Sequence, residues 1–147
     1  MFIKIFISVL IFASHTIYAQ TQNTDFKSAD LTNAEKATIA LSNLYGFSGE
    51  QALAVKQIEI SKFKNLADIE VLKTTNIKLF IQKRFAAVSM SEDEIREVLD
   101  EHQRVLFDKK TTAHTQKLNA TIASWQKQKL SESGINQKLA AITNEEL

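Results

Sequence analysis

Apolar residues recur along most of this chain at the spacing of amphipathic helices, and no segment has the strict alternation of a half-buried strand. The longest pattern runs from Gly49 to about Ala87. Its apolar residues lie on one side of a helix: Val55, Ile58, Leu66, Ile69, Ile77 and Phe80. Such a helix would be about 50 Å long, too long to be enclosed by so small a domain. We therefore expect it to expose one side or to pair with a second copy, and to kink or break at its weakest point, Thr74-Thr75-Asn76.

Two further helical patterns flank the long one. A first helix is predicted from Asn33 to Tyr45, with Thr32 as its N-terminal cap and Gly46 as its stop. A third helix is predicted to start at the stretch Met90-Ser91-Glu92-Asp93-Glu94, which combines a hydrophobic residue, a capping residue and acidic residues in the first turn.

The apolar side of the third helix changes direction from Phe107 onward, so a bend or break is predicted between Asp108 and Thr112. The stretch from Ser131 to Gly134 is expected to end this segment, and Ile135 to Ile142 to form a last turn or two. The chain has no proline and only three glycines, which fits a fold with few turns. The predicted fold class is all-α, with about four helices.

The first nineteen residues have the layout of a secretory signal peptide. Lys4 is the basic start, Ile5 to Ala13 is an apolar run, and Ala19 is a small residue at the expected cut. The alternative is a membrane anchor, but this run is well short of the roughly 20 residues that span a bilayer. We therefore expect cleavage near Ala19 and a periplasmic protein. The predicted segments are a signal peptide (1–19), a disordered lead (20–30), a helical domain (31–130) and a polar C-terminal tail (131–147).

The charge and the cysteine content of the chain limit its possible binding partners and the ways in which its fold can be stabilised. The chain has a net charge of +1, and cleavage would leave 17 basic and 17 acidic residues. This balance indicates no nucleic-acid partner. Because there is no cysteine, an exported domain of this size must be stabilised by packing alone. That requirement favours helix-on-helix packing or a dimer.

The stretch Phe47-Ser48-Gly49-Glu50-Gln51 opens the long pattern. As a cap, Ser48 can accept a hydrogen bond from the amide of Gln51, whose side chain can reach back to the amide of Ser48. Phe47 can pack on the first turn of the helix. These features describe an ordinary capping box. This stretch alone therefore does not show whether it only starts a helix or is also a functional signature.

A second copy of the pattern favours the interpretation as a functional signature. The stretch Leu99-Asp100-Glu101-His102-Gln103 again has a hydrophobic residue, a capping residue, two variable residues and a glutamine. The pair resembles the Leu-Thr-x-x-Gln repeats of the Spy/CpxP family of small periplasmic helical proteins, over roughly residues 44 to 110. Phe47 and Ser48 replace Leu-Thr in the first copy. Asp100 replaces threonine in the second, where we expect it within a helix rather than at a cap.

The resemblance implies a long, bent helical hairpin that pairs as a cradle-shaped homodimer. In Spy-like members the concave face holds unfolded clients without ATP. CpxP-like members also bind the periplasmic domain of a sensor kinase. A third branch senses metals through histidine and carboxylate ligands.

Charge is segregated along the chain. The segment from Lys56 to Arg84 contains seven basic and three acidic residues. The segment from Glu92 to Asp108 contains seven acidic residues and two arginines. Lys62, Lys73 and Arg84 are eleven residues apart, which gives them nearly the same direction on a continuous helix. They either lay their stems over apolar surface or, with the neighbouring Phe63, bind clients.

Other functional classes find little support in the sequence. His102 and His114 would point about 120° apart on a straight helix, and His102 is expected to be partly buried, so no metal site is predicted. No phosphate loop, cysteine nucleophile or strand-turn-helix serine indicates an enzyme, and no cofactor is predicted. Membrane-surface binding by the basic helix and a purely structural dimer remain alternatives.

The sequence thus predicts a periplasmic, ATP-independent chaperone-like protein that binds unfolded or stress-damaged envelope proteins. The alternative is a CpxP-like adaptor that binds the periplasmic domain of a sensor and modulates envelope-stress signalling. The two differ in client range: many unfolded proteins, or one folded partner.

Overall fold

The computed structural model describes residues 28–142, which fold into six α-helices and no β-strand. The helices are α1 (Ser28–Tyr45), α2 (Gly49–Ile69), α3 (Leu72–Thr75), α4 (Ile77–Val98), α5 (Glu101–Lys127) and α6 (Glu132–Ala141). The predicted all-α class is confirmed for this part of the chain. The predicted signal peptide, most of the predicted lead and residues 143–147 lie outside the described residues.

Helix α2 is the centre of the arrangement, because it packs against α1 on one side and α4 on the other. It runs antiparallel to α4: the side chain of Gln51, near its start, reaches Val98 at the end of α4. Helix α5 follows α4 after a two-residue break, and α6 turns back to pack on α4.

Two hydrophobic clusters hold the helices together. The first joins α1, α2, α4 and α5 through the buried residues Tyr45, Val55, Ile95, Leu99 and Phe107. The rings of Tyr45 and Phe107 are tilted against each other with centroids 5.6 Å apart, a favourable aromatic geometry. The second cluster joins α4 to α6 through Phe80, Ile81, Leu139 and Ala140.

The C-terminal segment contributes to the second cluster. Residues from 131 onward, predicted as a polar tail, contain α6, whose N-terminus is capped by a hydrogen bond from the Gly134 amide to Ser131 Oγ. Leu139 and Ala140 are buried. The guanidinium of Arg84 donates to the backbone oxygens of Leu139 and Ile142, which joins the end of α6 to α4.

The long predicted helix is interrupted at the segment that the sequence marks as weakest. Helix α2 ends at Ile69, α3 is a single turn, and Asn76 leaves the helical region with φ −155° and ψ 79°. The Asn76 side chain then accepts a hydrogen bond from the Leu79 amide and so caps α4. Asparagine suits this place because its short polar side chain replaces a missing backbone partner.

Two predicted helix starts are wrong. Helix α1 begins at Ser28, so Thr32 lies inside it. No helix starts at Met90-Ser91: α4 continues to Val98, and the hydroxyl of the buried Ser91 donates to the Val88 oxygen inside the helix. The cap-like sequence does not start a helix because α4 continues through it. Helix α4 ends instead before Leu99, whose ψ of 146° is extended.

The predicted break between Asp108 and Thr112 does not occur, since α5 is continuous from Glu101 to Lys127. The shift of its apolar side has a different cause. The start of α5 packs through Phe107 on the first cluster, whereas Leu118, Ile122 and Trp125 pack on the second. One continuous helix can keep two apolar directions because each half packs on its own cluster.

Candidate functional site

Both sequence motifs form complete capping boxes. In the first, Ser48 Oγ accepts from the Gln51 amide at 3.2 Å, and Gln51 Oε1 accepts from the Ser48 amide at 3.0 Å. In the second, Asp100 Oδ1 accepts from the Gln103 amide at 2.8 Å, and Gln103 Oε1 accepts from the Asp100 amide at 2.9 Å. The expectation that Asp100 lies within a helix is wrong, because α4 ends just before it and Asp100 starts α5.

The two boxes meet through the side-chain amides of Gln51 and Gln103, which we call the glutamine pair. Gln51 Nε2 donates to Gln103 Oε1 at 2.7 Å, and Gln103 Nε2 lies 3.2 Å from Gln51 Oε1. Gln51 also donates to the oxygen of Val98, and Gln103 to those of Tyr45 and Gly46. Each glutamine thus binds the chain that precedes the other capping box, so the pair joins the α1–α2 corner to the α4–α5 corner.

Local features position the two corners. Gly46 ends α1 with φ 68°, a left-handed conformation that glycine adopts without steric cost. Phe47 stacks on Tyr45 with ring centroids 6.1 Å apart, and Leu99 is buried in the first cluster. The six motif residues (Phe47, Ser48, Gln51, Leu99, Asp100 and Gln103) therefore act in one structural unit.

A second feature is a groove of about 1000 Å³ between α1, α2, α4 and α5. Its lining is partly apolar, from Leu41, Phe63, Leu66, Val88, Ile95 and Phe107. Four lysines also line it: Lys36 from α1, Lys62 from α2, and Lys110 and Lys117 from α5. A concave apolar surface with a few polar groups is the usual form of a binding site.

The lysines of the groove fall into two kinds. Lys62 forms an ion pair with Glu59, which is only 1% exposed, and its ammonium lies 5.2 Å from the centroid of the Phe63 ring. Lys36, Lys110 and Lys117 are exposed and have no ion-pair partner among the described residues. We call these three the rim lysines.

Two carboxylates lie among these cations. Glu59 is buried between Val55 and Leu66 on α2. Burial raises the pKa of Glu92 above its ordinary value, because desolvation of its carboxylate outweighs the attraction of His114 and Lys62. The lining therefore carries four lysines and two glutamates, an excess of positive charge.

The predicted client-binding residues lie in two places. Lys62 and Phe63 line the groove. Lys73 lies at a smaller cavity of about 310 Å³, pairs with Glu70 at 3.3 Å and is about half exposed. Arg84 lines the same small cavity but is only 5% exposed and bound to α6. The expected single row is absent because the break after Ile69 separates Lys62 from Lys73 and Arg84.

Sequence reasoning missed the rim lysines. Lys110 and Lys117 are seven residues apart on α5, with His114 between them on the same lining. That spacing is visible in the sequence, but Lys36 comes from α1, and only the fold brings the three to one groove. His102 was expected to be partly buried and is exposed, because Gln103 and Phe107 form the inner side of α5.

Within residues 28–142, no cluster of three or more histidine, aspartate or glutamate residues is arranged to hold a metal ion. None of the helices in this range has the length and apolar character needed to cross a bilayer. The structure thus offers one pair of interlocked capping boxes and one charged, partly apolar groove. Comparisons of the chain with known protein families, with curated proteins and with solved structures find no match.

Proposed function

We propose that this protein is a periplasmic, ATP-independent chaperone-like protein that holds unfolded or stress-damaged envelope proteins in the groove between α1, α2, α4 and α5. The observation that carries the proposal is the combination of an apolar groove lining with three rim lysines that have no ion-pair partner in the described part of the chain. Apolar side chains of an unfolded client can bury surface in the groove, and unpaired lysines can attract its acidic residues.

The dimensions of the groove suit a chain rather than a compact domain. About 1000 Å³ of open space accommodates several side chains of an extended segment, but not a folded surface. Positive charge at the rim speeds association, and apolar contact slows release. Neither step needs a cofactor or nucleotide.

The interlocked capping boxes support the resemblance to the Spy/CpxP family. Both copies of the motif begin a helix, and their glutamines bind each other. A repeat that is used in the same way twice has a common structural purpose, which strengthens its value as a family signature. We include in the proposal the periplasmic location, the signal peptide ending near Ala19 and the cradle-shaped homodimer that the resemblance implies.

A CpxP-like adaptor is the second candidate, and one observation favours it. Leu53 and Val105 each lie two residues after a glutamine of the pair, and both are about two-thirds exposed. Exposed apolar residues next to a hydrogen-bonded unit form a fixed surface, which suits one folded partner, such as the periplasmic domain of a sensor.

Light scattering of an unrelated, chemically denatured protein tests the proposed function. The purified mature chain should suppress aggregation, and Lys110→Gln/Lys117→Gln should suppress it less at low salt, because the rim loses two charges. The matched control is Lys64→Gln/Lys109→Gln, which removes two exposed lysines outside the groove and should act as wild type does.

Absence of suppression by the wild-type chain at several-fold molar excess would overturn the chaperone proposal. If, in addition, one folded sensor domain bound and Leu53→Ser/Val105→Ser abolished its binding, the adaptor would replace it. Suppression that the rim and control variants share equally would mean that clients bind elsewhere.

A further inference from the structure

The turn between α5 and α6 holds a lysine in a conformation that usually belongs to glycine. Lys129 has φ 58°, in the left-handed region, and it is the only non-glycine residue with a positive φ within residues 28–142. Its amide donates to the Gln126 oxygen at 2.9 Å, and the Leu130 amide donates to the Trp125 oxygen at 3.1 Å. These two bonds form a Schellman motif, in which glycine is the usual left-handed residue because it has no Cβ.

The end of α1 provides the comparison. There Gly46 takes the same conformation, with φ 68°, at no steric cost. The turn after α5 contains neither glycine nor proline, and three of its residues, Gln128, Lys129 and Leu130, are good helix formers. Their own preference is therefore to continue α5, and the turn holds Lys129 in a strained alternative.

Contacts with α4 hold α6 in its folded-back position. The apolar end of α6 is buried in the second cluster. The guanidinium of Arg84 donates to the backbone oxygens of Leu139 and Ile142, and Lys78 pairs with Glu132 at 3.1 Å. None of these contacts requires that α4 and α6 belong to the same chain.

A straightened turn would carry α6 away from its own α4. If residues 128–131 became helical, α5 and α6 would form one helix, and the end of α6 would lie about 20 Å beyond Lys127. The buried Phe80 and Ile81 of α4 would lose their cover, and exposure of apolar side chains to water is unfavourable. This cost disappears when two chains straighten together and each α6 packs on the α4 of the other chain.

We infer that the turn of residues 128–131 is a hinge and that the homodimer forms by exchange of α6. In the exchanged dimer, α5 and α6 are one continuous helix. A short hinge under strain favours such exchange, because straightening releases the strain at Lys129 while the contacts between α4 and α6 are formed again. The inference rests on the proposed function for the homodimer and names its interface, but the interface needs no client.

Cysteine crosslinking tests the exchange, because the sequence has no cysteine of its own. The side chains of Lys78 and Glu132 are 65% and 75% exposed, so Lys78→Cys/Glu132→Cys should keep the fold, which circular dichroism checks. Monomer and dimer fractions are separated by size-exclusion chromatography and treated with a short bismaleimide. On a denaturing gel, the monomer fraction should show a crosslink within one chain, and the dimer fraction should show two linked chains.

A mixture of two single variants tests whether the linked positions come from different chains. Lys78→Cys and Glu132→Cys are refolded together from urea, and exchange brings position 78 of one chain beside position 132 of the other. Linked chains should therefore form in the mixture. In the control, Glu94→Cys replaces Lys78→Cys. Glu94 is exposed on the same helix, about 24 Å from Lys78 along its axis, so the control mixture should give no linked chains.

Substitution at the hinge tests the role of the strain. Lys129→Gly relieves the folded-back turn and disfavours the continuous helix. Dimerisation should therefore weaken about ten-fold or more in sedimentation equilibrium. Lys129→Gln is the control: it removes the charge but keeps a side chain in the left-handed conformation, and it should dimerise as wild type does.

Three outcomes would overturn the inference: a wild-type chain that is monomeric at every concentration, crosslinks within one chain in the dimer fraction, or equal dimerisation of Lys129→Gly and Lys129→Gln. These outcomes are separable from failure of the proposed function, because no client is present. If a dimer without exchange suppresses aggregation, only the inference is wrong. If an exchanged dimer does not suppress aggregation, the inferred interface is retained and the chaperone function is wrong.

Discussion

The glutamine pair and the groove lie next to each other in the same four helices and differ in how far their polar groups are paired. At the pair, both side-chain amides use donors and acceptors within the chain, and Gln103 is 5% exposed. In the groove, Glu59 is paired with Lys62, but the rim lysines are exposed and have no ion-pair partner among the described residues. The polar residues of the first region are bonded to each other, whereas the rim lysines of the second are exposed to solvent.

This difference predicts that substitutions in the two regions affect the stability of the fold to different extents. Substitutions at the glutamine pair should lower the free energy of unfolding, since each exposes or strands a buried polar group. Substitutions at the rim should leave it nearly unchanged, because exposed charges contribute little to folding. Equal changes in the free energy of unfolding for substitutions in the two regions would contradict this difference.

The largest expected effect on stability is that of Gln103→Ala. Removal of this amide leaves the Asp100 amide and the Tyr45 oxygen without their side-chain partner and removes the bonds between Gln51 and Gln103. We expect a loss of about 2–4 kcal/mol in the free energy of unfolding. Urea denaturation followed by circular dichroism measures it. Gln57→Ala, at an exposed position of α2, is the matched control and should change stability by no more than about 0.5 kcal/mol. Equal losses from the two variants would show that the pair is not a stabilising unit.

The next largest effect on stability concerns the two capping residues. Ser48→Ala and Asp100→Ala should each cost about 1 kcal/mol, because both side chains accept a hydrogen bond from the third residue of a helix. The same denaturation experiment compares them. A negligible cost for Asp100→Ala would mean that α4 and α5 are continuous in solution and that only the first motif is a cap.

The smallest effect concerns pH and the groove. The pKa of Glu92 is raised in the folded state, mainly by burial, so the folded chain binds this proton more tightly than the unfolded chain. Its ionised form therefore costs stability at neutral pH, and the cost disappears as pH falls below the unfolded pKa. Glu92→Gln should raise the melting temperature slightly at pH 7 and lose this advantage near pH 4. The exposed Glu94 gives the control variant, Glu94→Gln, and a lower melting temperature for Glu92→Gln at pH 7 would contradict the assignment.

The first capping box could be predicted because its signal is local, whereas Asp100 was expected within a helix and the second box was therefore missed. Ser48 and Gln51, or Asp100 and Gln103, are three residues apart, and one turn of helix brings them together. The break near Asn76 was predictable for the same reason. The false start at Met90-Ser91 shows the limit: that stretch also resembles a cap, and the choice between it and Leu99-Asp100 depends on contacts with α1 and α2 that no local pattern contains.

The groove could not be predicted because its parts come from four helices. Periodicity indicates which side of a helix is apolar, but it does not show which helices face each other. The eleven-residue spacing of Lys62, Lys73 and Arg84 places the three side chains on one side only if the helix is continuous. The helix is interrupted after Ile69, so they do not share one side. Lys36 and Lys117 both line the groove although they are 81 positions apart in the sequence.

Site-specific photo-crosslinking tests the central claim most directly. Thr111 lines the groove, whereas Thr112, the next residue, is exposed and does not line it. A photoreactive phenylalanine derivative at each position, irradiated with a denatured client, compares two neighbouring directions on the same helix. We expect strong crosslinking from position 111 and little from position 112. Equal or stronger crosslinking from position 112 would contradict the claim that clients bind in the groove.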